Sequence, residues 1–139
     1  MKIMAVDLGM ARTGLAICDP SETLASPIGT IEERNDERLL SKVASAAAEQ
    51  GAQRIVVGHP RNMDGSRGES ARRAECFAAA LEKETGLPVM LWDERLTTVS
   101  AAGYLNQTDT RGKKRKAVID TVAATIILQD YLDALRHSR

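Results

Sequence analysis

Aromatic residues and cysteines are scarce in this sequence. Phe, Trp and Tyr together make up 3% of its 139 residues, and its two cysteines are Cys18 and Cys76. So few rings argue against a single-strand binder that stacks successive bases on aromatic side chains. Two distant cysteines without a CxxC pair argue against a disulfide framework or a structural zinc site, and they are typical of a protein of the reducing cytoplasm.

Excess charge and long apolar runs are lacking as well. The 19 Lys and Arg residues balance the 19 Asp and Glu residues, so an anionic partner must be held by a local cluster of cations. No apolar run approaches the ~20 residues that cross a bilayer, and we expect no membrane partner. The length is that of one domain, which we expect to span residues 1–139.

The hydrophobic pattern predicts three successive strands and then an alternation of helices and strands. The predicted strands cover residues 3–8, 13–18, 25–31, 54–58 and 89–92. Helices are expected from Asn35 or Asp36 to Gly51, from about residue 70 to Gly86, in a short stretch after Thr97, and at 116–135, with a polar, basic loop at 106–116. This order predicts an α/β fold, in which an antiparallel three-strand meander plus parallel strands form a mixed sheet flanked by helices.

Two of the predicted strands end in acidic residues. Asp7 closes the first strand, and Asp93 and Glu94 close the last one. The carboxyl ends of strands are where α/β proteins place their sites, although an Asp before a Gly is also common in ordinary turns. Because neighbouring strand residues point to opposite faces, we expect only one of Asp93 and Glu94 to share a face with Asp7.

A third acid, Asp120, lies on the apolar side of the last predicted helix. At about 100° per residue it falls among apolar side chains, namely Ala123, Ala124, Ile127, Leu128, Tyr131 and Leu135. The helix dipole favours an acid in the first turn, but it does not explain a place on the apolar side. A carboxylate there needs a partner or a cation, because an unpaired buried charge costs several kcal/mol.

Three carboxylates that meet would repel one another, and divalent cations would remove this conflict. Mg²⁺ and Mn²⁺ prefer oxygen ligands, which Asp and Glu supply. Two such ions about 4 Å apart can activate a water molecule and stabilise the leaving oxygen of a phosphodiester. The acids therefore predict a Mg²⁺ or Mn²⁺ site that serves phosphodiester hydrolysis.

Four motifs follow one another along the chain. They are DLGMARTGLA at 7–16, VVG at 56–58 with Pro60 and NMDG at 62–65, DERLTT at 93–98, and Ile119-Asp120 with Ala123-Ala124 and ILQ at 127–129. In this order they resemble the YqgF family, also called RuvX, over nearly the whole chain. The sequence departs from the family pattern at His59-Pro60-Arg61, where apolar residues are expected beside the proline.

The resemblance implies an RNase H-like fold and nuclease activity. The substrate it implies is the 5′ end of pre-16S ribosomal RNA or, alternatively, a Holliday junction in DNA that is resolved by a dimer. The implied catalytic and metal-binding acids are Asp7, Glu94 and Asp120, with Mg²⁺ or Mn²⁺ as cofactor. The DERLTT motif contains both Asp93 and Glu94, so the choice between these two stays open.

A basic segment precedes Asp120. Residues 111–116 read RGKKRK, with five cations in six positions. Although such runs are commonly solvated loops, this one would lie beside the metals and bind phosphates with an affinity that falls with salt. The predicted nucleic-acid-binding residues are Arg12, Arg111, Lys113, Lys114, Arg115 and Lys116, and the expected partner is pre-ribosomal RNA or branched DNA, bound by a monomer or a homodimer.

Two other classes of protein stay open. An Asp-x-Gly turn between two strands also opens the actin-like nucleotide-binding fold, although that fold normally uses two such domains. A non-catalytic RNA-binding factor in ribosome maturation would bind RNA without Mg²⁺ and cleave nothing. Detectable ATP binding would favour the first class, and RNA binding without cleavage would favour the second.

Overall fold

Five strands in the described part of the chain form one mixed sheet. The computed structural model describes residues 1–60, 64, 66–94 and 112–137, with the side chains of the last helix described from residue 122. Its strands are β1 (Ile3–Asp7), β2 (Arg12–Cys18), β3 (Ala25–Glu32), β4 (Arg54–His59) and β5 (Val89–Asp93). They lie in the order β3-β2-β1-β4-β5, with β1, β2 and β3 antiparallel in turn and β4 and β5 parallel to β1. The predicted meander and mixed sheet are confirmed.

Within the described residues, three helices flank the sheet, namely α1 (Asp36–Gln50), α2 (Glu69–Thr85) and α3 (Gly112–His137). The Asn35 side chain caps α1 by accepting a hydrogen bond from the backbone N–H of Arg38 at 2.9 Å. Gly51 ends α1 with a left-handed φ of 69°, and Gly86 ends α2 with a φ of 71°. The predicted starts and stops of α1 and α2 are therefore confirmed to within a residue or two.

Alternation along β1 divides the core into two layers. Met4 and Val6 pack against α1 and α2, whereas Ile3 and Ala5 pack against α3. Val56 of β4 belongs to the α3 layer as well. Because successive side chains of a strand alternate between faces, Asp7 continues the row of Ile3 and Ala5 on the α3 side of the sheet.

The last helix begins at Gly112 rather than near Lys116. The prediction of a loop over 106–116 is therefore wrong from Gly112 onwards. Lys and Arg are good helix formers, and no Gly or Pro follows Gly112 in the helix. The basic residues 113–116 therefore form the first turns of the helix rather than a loop. The remainder of that predicted loop, and the short helix predicted after Thr97, lie outside the described residues.

The apolar side of α3 packs on β1, β2 and β3. Ala124, Ile127, Leu128 and Tyr131 are buried as predicted, and Leu132 is fully buried too. The side chain of Gln129 accepts a hydrogen bond from Ala25 N–H at 3.0 Å and donates one to the Thr23 carbonyl at 3.1 Å, so it joins α3 to the β2–β3 connection. Within the described chain, no helix is long and apolar enough to span a membrane.

Candidate active site

Asp7 lies at the carboxyl end of the central strand. Its neighbour across β2 is Gly14, which places no side chain beside it. The partly buried carboxyl group of Asp7 therefore faces the space under α3 at the end of the sheet. Three parallel strands, β1, β4 and β5, end at this same edge. The carboxyl ends of parallel strands are where α/β proteins place their binding sites.

Glu94 follows β5 directly and extends its side chain over Gly58 of β4. A Cβ added to Gly58 would lie 2.7 Å from Glu94 Oε1, 2.8 Å from Glu94 Cδ and 2.9 Å from Ile127 Cδ1. The carboxyl group of Glu94 thus occupies the room that a side chain at position 58 would take, with Ile127 of α3 beside it. The missing side chain of Gly58 lets this carboxyl group reach the centre of the sheet edge.

The side chains of Asp7 and Glu94 are hydrogen-bonded to each other. Burial raises the pKa of Asp7 well above its ordinary value, and the hydrogen bond and the negative charge of Glu94 raise it further. Two carboxylates cannot share a hydrogen bond unless one of them keeps a proton. Asp7 therefore holds its proton more tightly than an exposed carboxyl group does, and a cation would offset the same repulsion.

The donor set fits Mg²⁺ or Mn²⁺, which prefer oxygen ligands. Among the described side chains, no group of three or more His, Cys, Asp and Glu residues is placed to hold a metal ion. The third predicted ligand, Asp120, belongs to α3, but its side chain lies outside the described residues. The described part of the predicted site thus consists of Asp7 and Glu94.

The open choice between Asp93 and Glu94 has a structural answer. Trp92 belongs to the α3 layer, and its ring contacts the ring of Tyr131 edge to face at 5.8 Å. Asp93 pairs with His59 across the β4–β5 ladder, and His59 bonds to Glu75 of α2 on the other face. Glu94 therefore shares the α3 face with Asp7, and Asp93 does not.

Arg12 begins β2, close to Asp7 in the chain. Its Nε lies 3.6 Å from Glu32 Oε1 of β3, and its buried Nη1 has no hydrogen-bond partner within the described structure. Lys113, Lys114, Arg115 and Lys116 lie in the first turns of α3, where side chains are not described. Arg111 lies outside the described residues.

Two further side chains near this edge form long-range contacts within the protein. Arg73 of α2 donates to the carbonyl of Gly9 at 2.8 Å and forms two hydrogen bonds with Asp36. His59, the departure from the family pattern, lies 2.7 Å from Glu75, whose other oxygen accepts from Arg67. The sequence carries no periodic signal for such long-range contacts.

Comparison with known proteins points to one family. A family model described as "RuvX: Holliday junction resolvase" matches residues 1–134. Three relatives, each named "Putative pre-16S rRNA nuclease", are similar over nearly their whole length. The relative from Lachnospira eligens is 43% identical over 137 residues, covering 96% of this chain and 98% of its own. Those from Moorella thermoacetica and Shouchella clausii are 44% and 41% identical, covering 97% and 99% of this chain and 96% and 99% of their own.

Solved structures share the fold. RuvC of Thermus thermophilus, in complex with a Holliday junction substrate, matches with a TM-score of 0.64 at 13% identity, over 99% of this chain and 97% of that chain. The fowlpox virus Holliday junction resolvase matches with a TM-score of 0.59 at 13% identity, over 97% of this chain and 99% of that chain. The expected RNase H-like fold is thereby confirmed.

Proposed function

The chain belongs to the RuvX family, and we propose that it is a nuclease that uses Mg²⁺ or Mn²⁺ to hydrolyse phosphodiester bonds in structured nucleic acid. The observation that carries this proposal is the hydrogen-bonded Asp7–Glu94 pair at the carboxyl end of three parallel strands. The names of the relatives favour pre-16S ribosomal RNA as the substrate, and we propose ribosome biogenesis in the cytoplasm as the setting.

Asp7, Glu94 and Asp120 would hold the cation. Asp120 precedes Ile127 by almost two helical turns of 3.6 residues, so the helix brings both residues to one side of α3. The side chains of Ile127 and Glu94 lie next to each other above Gly58. This spacing of seven residues supports Asp120 as the third ligand of the proposed site.

When bound, one or two divalent ions supply the Lewis acidity and the activated water that phosphodiester hydrolysis needs. The residues of the chain orient this chemistry. Asp7 is fixed by the central strand, and Glu94 is fixed by the room above Gly58. The cations that would bind substrate phosphates are Arg12, Arg111, Lys113, Lys114, Arg115 and Lys116.

Cleavage by the purified protein with Mn²⁺ tests this proposal. The substrates are a pre-16S RNA fragment that carries its 5′ leader and a four-way DNA junction, offered side by side. We expect the Asp7→Asn and Asp120→Asn variants to lose cleavage and keep the fold. The matched control is Glu49→Gln, which removes the charge of an exposed acid on α1. Unchanged cleavage by Asp7→Asn, or full cleavage in EDTA, would refute the proposed site.

The description of the family model favours a second candidate, the resolution of four-way DNA junctions. A resolvase cuts two opposite strands, so it needs two sites and hence a homodimer. Cleavage of the junction in preference to the RNA, by a protein that sediments as a dimer, would support this candidate. Cleavage of the RNA by a monomer would support the first.

A further inference from the structure

One close backbone contact and two hydrogen bonds fix the turn that follows Asp7. A Cβ at Gly9 would lie 2.0 Å from the carbonyl oxygen of Arg12, so the turn is too tight for a side chain there. Arg73 donates to the Gly9 carbonyl at 2.8 Å, and the backbone N–H of Glu33 donates to the Ala11 carbonyl at 3.0 Å. The start of β2 therefore has a fixed position relative to Asp7.

Most of the cations around this turn are bound to acids of the protein. Glu33 accepts from Lys42 at 2.9 Å and from Arg38 at 3.4 Å. The bond from Lys42 is the main reason that the pKa of Glu33 is lowered to about 2. Arg73 is bound to Asp36, as described above. Each of these three cations therefore already has an acidic partner within the protein.

Arg12 and Arg34 differ from them. Arg12 has one long ion pair, at 3.6 Å, with a Glu32 side chain that is 77% exposed, and its buried Nη1 donates to no acceptor that the structure describes. Arg34 is exposed and forms neither a hydrogen bond nor an ion pair within the described residues. Both arginines line one groove of about 450 Å³, together with Ala11, Glu32, Glu33 and Arg38.

We propose that this groove, between the β1–β2 turn and the start of α1, binds the phosphate backbone of the nucleic acid through Arg34 and Arg12. Phosphate oxygens accept charge-assisted hydrogen bonds from guanidinium groups, and one such oxygen would satisfy the buried Nη1 of Arg12. The proposal rests on the proposed nuclease function. It adds Arg34 to the residues that bind phosphate. It also gives the path of the bound nucleic-acid strand, which leaves the Asp7–Glu94 pair and passes over the start of β2 and the end of β3.

The test measures binding in the Asp7→Asn background, so that the nucleic acid stays intact. A fluorescein-labelled RNA hairpin and a labelled four-way DNA junction are titrated in Mg²⁺, and anisotropy is recorded at several salt concentrations. Adding Arg34→Gln is expected to weaken binding about tenfold, as the loss of a hydrogen bond to a charged group does. The slope of log affinity against log salt is expected to fall by about 0.9 on a duplex.

Arg38→Gln is the matched control, because Arg38 lines the same groove but is bound to Glu33. We expect it to leave the affinity and the salt slope nearly unchanged. Arg34→Lys is expected to keep the salt slope while losing part of the affinity. Since the exposed Arg34 side chain forms no hydrogen bond or ion pair with the described residues, the melting temperature of Arg34→Gln should equal that of its parent.

The outcomes separate this inference from the function on which it rests. If the native protein cleaves and Arg34→Gln binds as its parent does, the groove is not the path of the strand and this inference alone fails. Equal losses in Arg34→Gln and Arg38→Gln would also overturn it, because they would reflect the general charge of the surface. If the native protein neither cleaves nor binds either probe, the proposed function fails and this inference fails with it.

Discussion

Replacing Gly58 by Ala should displace Glu94 without unfolding the protein. The new methyl carbon would lie 2.7 Å and 2.8 Å from atoms of the Glu94 carboxyl group and 2.9 Å from Ile127 Cδ1. Ordinary contacts between such atoms are about 3.5–4.0 Å. The backbone of β4 is bonded to strands on both sides, so it cannot yield easily, and the Glu94 carboxyl group must move by about 1 Å.

A displacement of this size matters more for catalysis than for stability. A misplacement of about 1 Å in an active site costs about 100-fold in rate, whereas overpacking of one methyl group costs about 1–3 kcal/mol. Alanine is also the better strand residue by about 0.5–1 kcal/mol, which offsets part of that loss. We therefore expect a folded variant with cleavage lowered about 100-fold and a weaker affinity for Mn²⁺.

Three measurements check this expectation: the cleavage rate at saturating Mn²⁺, the Mn²⁺ affinity by calorimetry, and the melting temperature in EDTA. Adding Glu94→Asp to Gly58→Ala shortens the displaced side chain and should restore part of the Mn²⁺ affinity. Adding Ile127→Val instead relieves the clash with α3 alone and should restore stability but not the affinity. Native cleavage by Gly58→Ala would refute the idea that the room above this glycine positions Glu94.

Two further predictions concern the carboxyl pair. Glu94→Gln should lose cleavage as Asp7→Asn does, whereas Asp93→Asn should keep it, because Asp93 lies on the opposite face of the sheet; equal losses in an RNA cleavage assay would contradict this assignment. In EDTA, the folded protein holds the Asp7 proton more tightly than the unfolded chain does, because burial and Glu94 raise its pKa, so native stability should fall as pH rises above about 4. Asp7→Asn removes this loss and should melt higher than the native protein at neutral pH; a lower melting temperature at every pH would contradict the raised pKa.

Local signals in the sequence predict most of the fold. Asn35 and Gly51 mark the ends of α1 because capping and left-handed backbone depend on single residues. The start of α3 is harder to predict, because a run of Lys and Arg suits both a solvated loop and a helix. The role of Gln129 depends on where the β2–β3 connection lies, and periodicity carries no such information.

The meeting of Asp7 and Glu94 is predictable in outline, because parallel strands end at a common edge. The features that shape the site are not predictable in this way. Gly58 reads in the sequence as one of several strand glycines, and its role depends on Glu94 and Ile127, which lie far away in the chain. Arg34 and Arg38 likewise look alike in the sequence, and they differ only because Glu33 binds one of them.

The register of β5 determines which acid joins Asp7. Gly58 stands opposite Trp92 in the β4–β5 ladder, and Glu94 follows two residues later on the same face. A slip of one residue would turn every β5 side chain to the other face, bringing Asp93 to the site and carrying Trp92 away from Tyr131. The aromatic contact, at 5.8 Å, thus favours the same register as the carboxyl pair. Because that contact involves only side chains of the core, packing favours Glu94 without any help from a substrate or a cation.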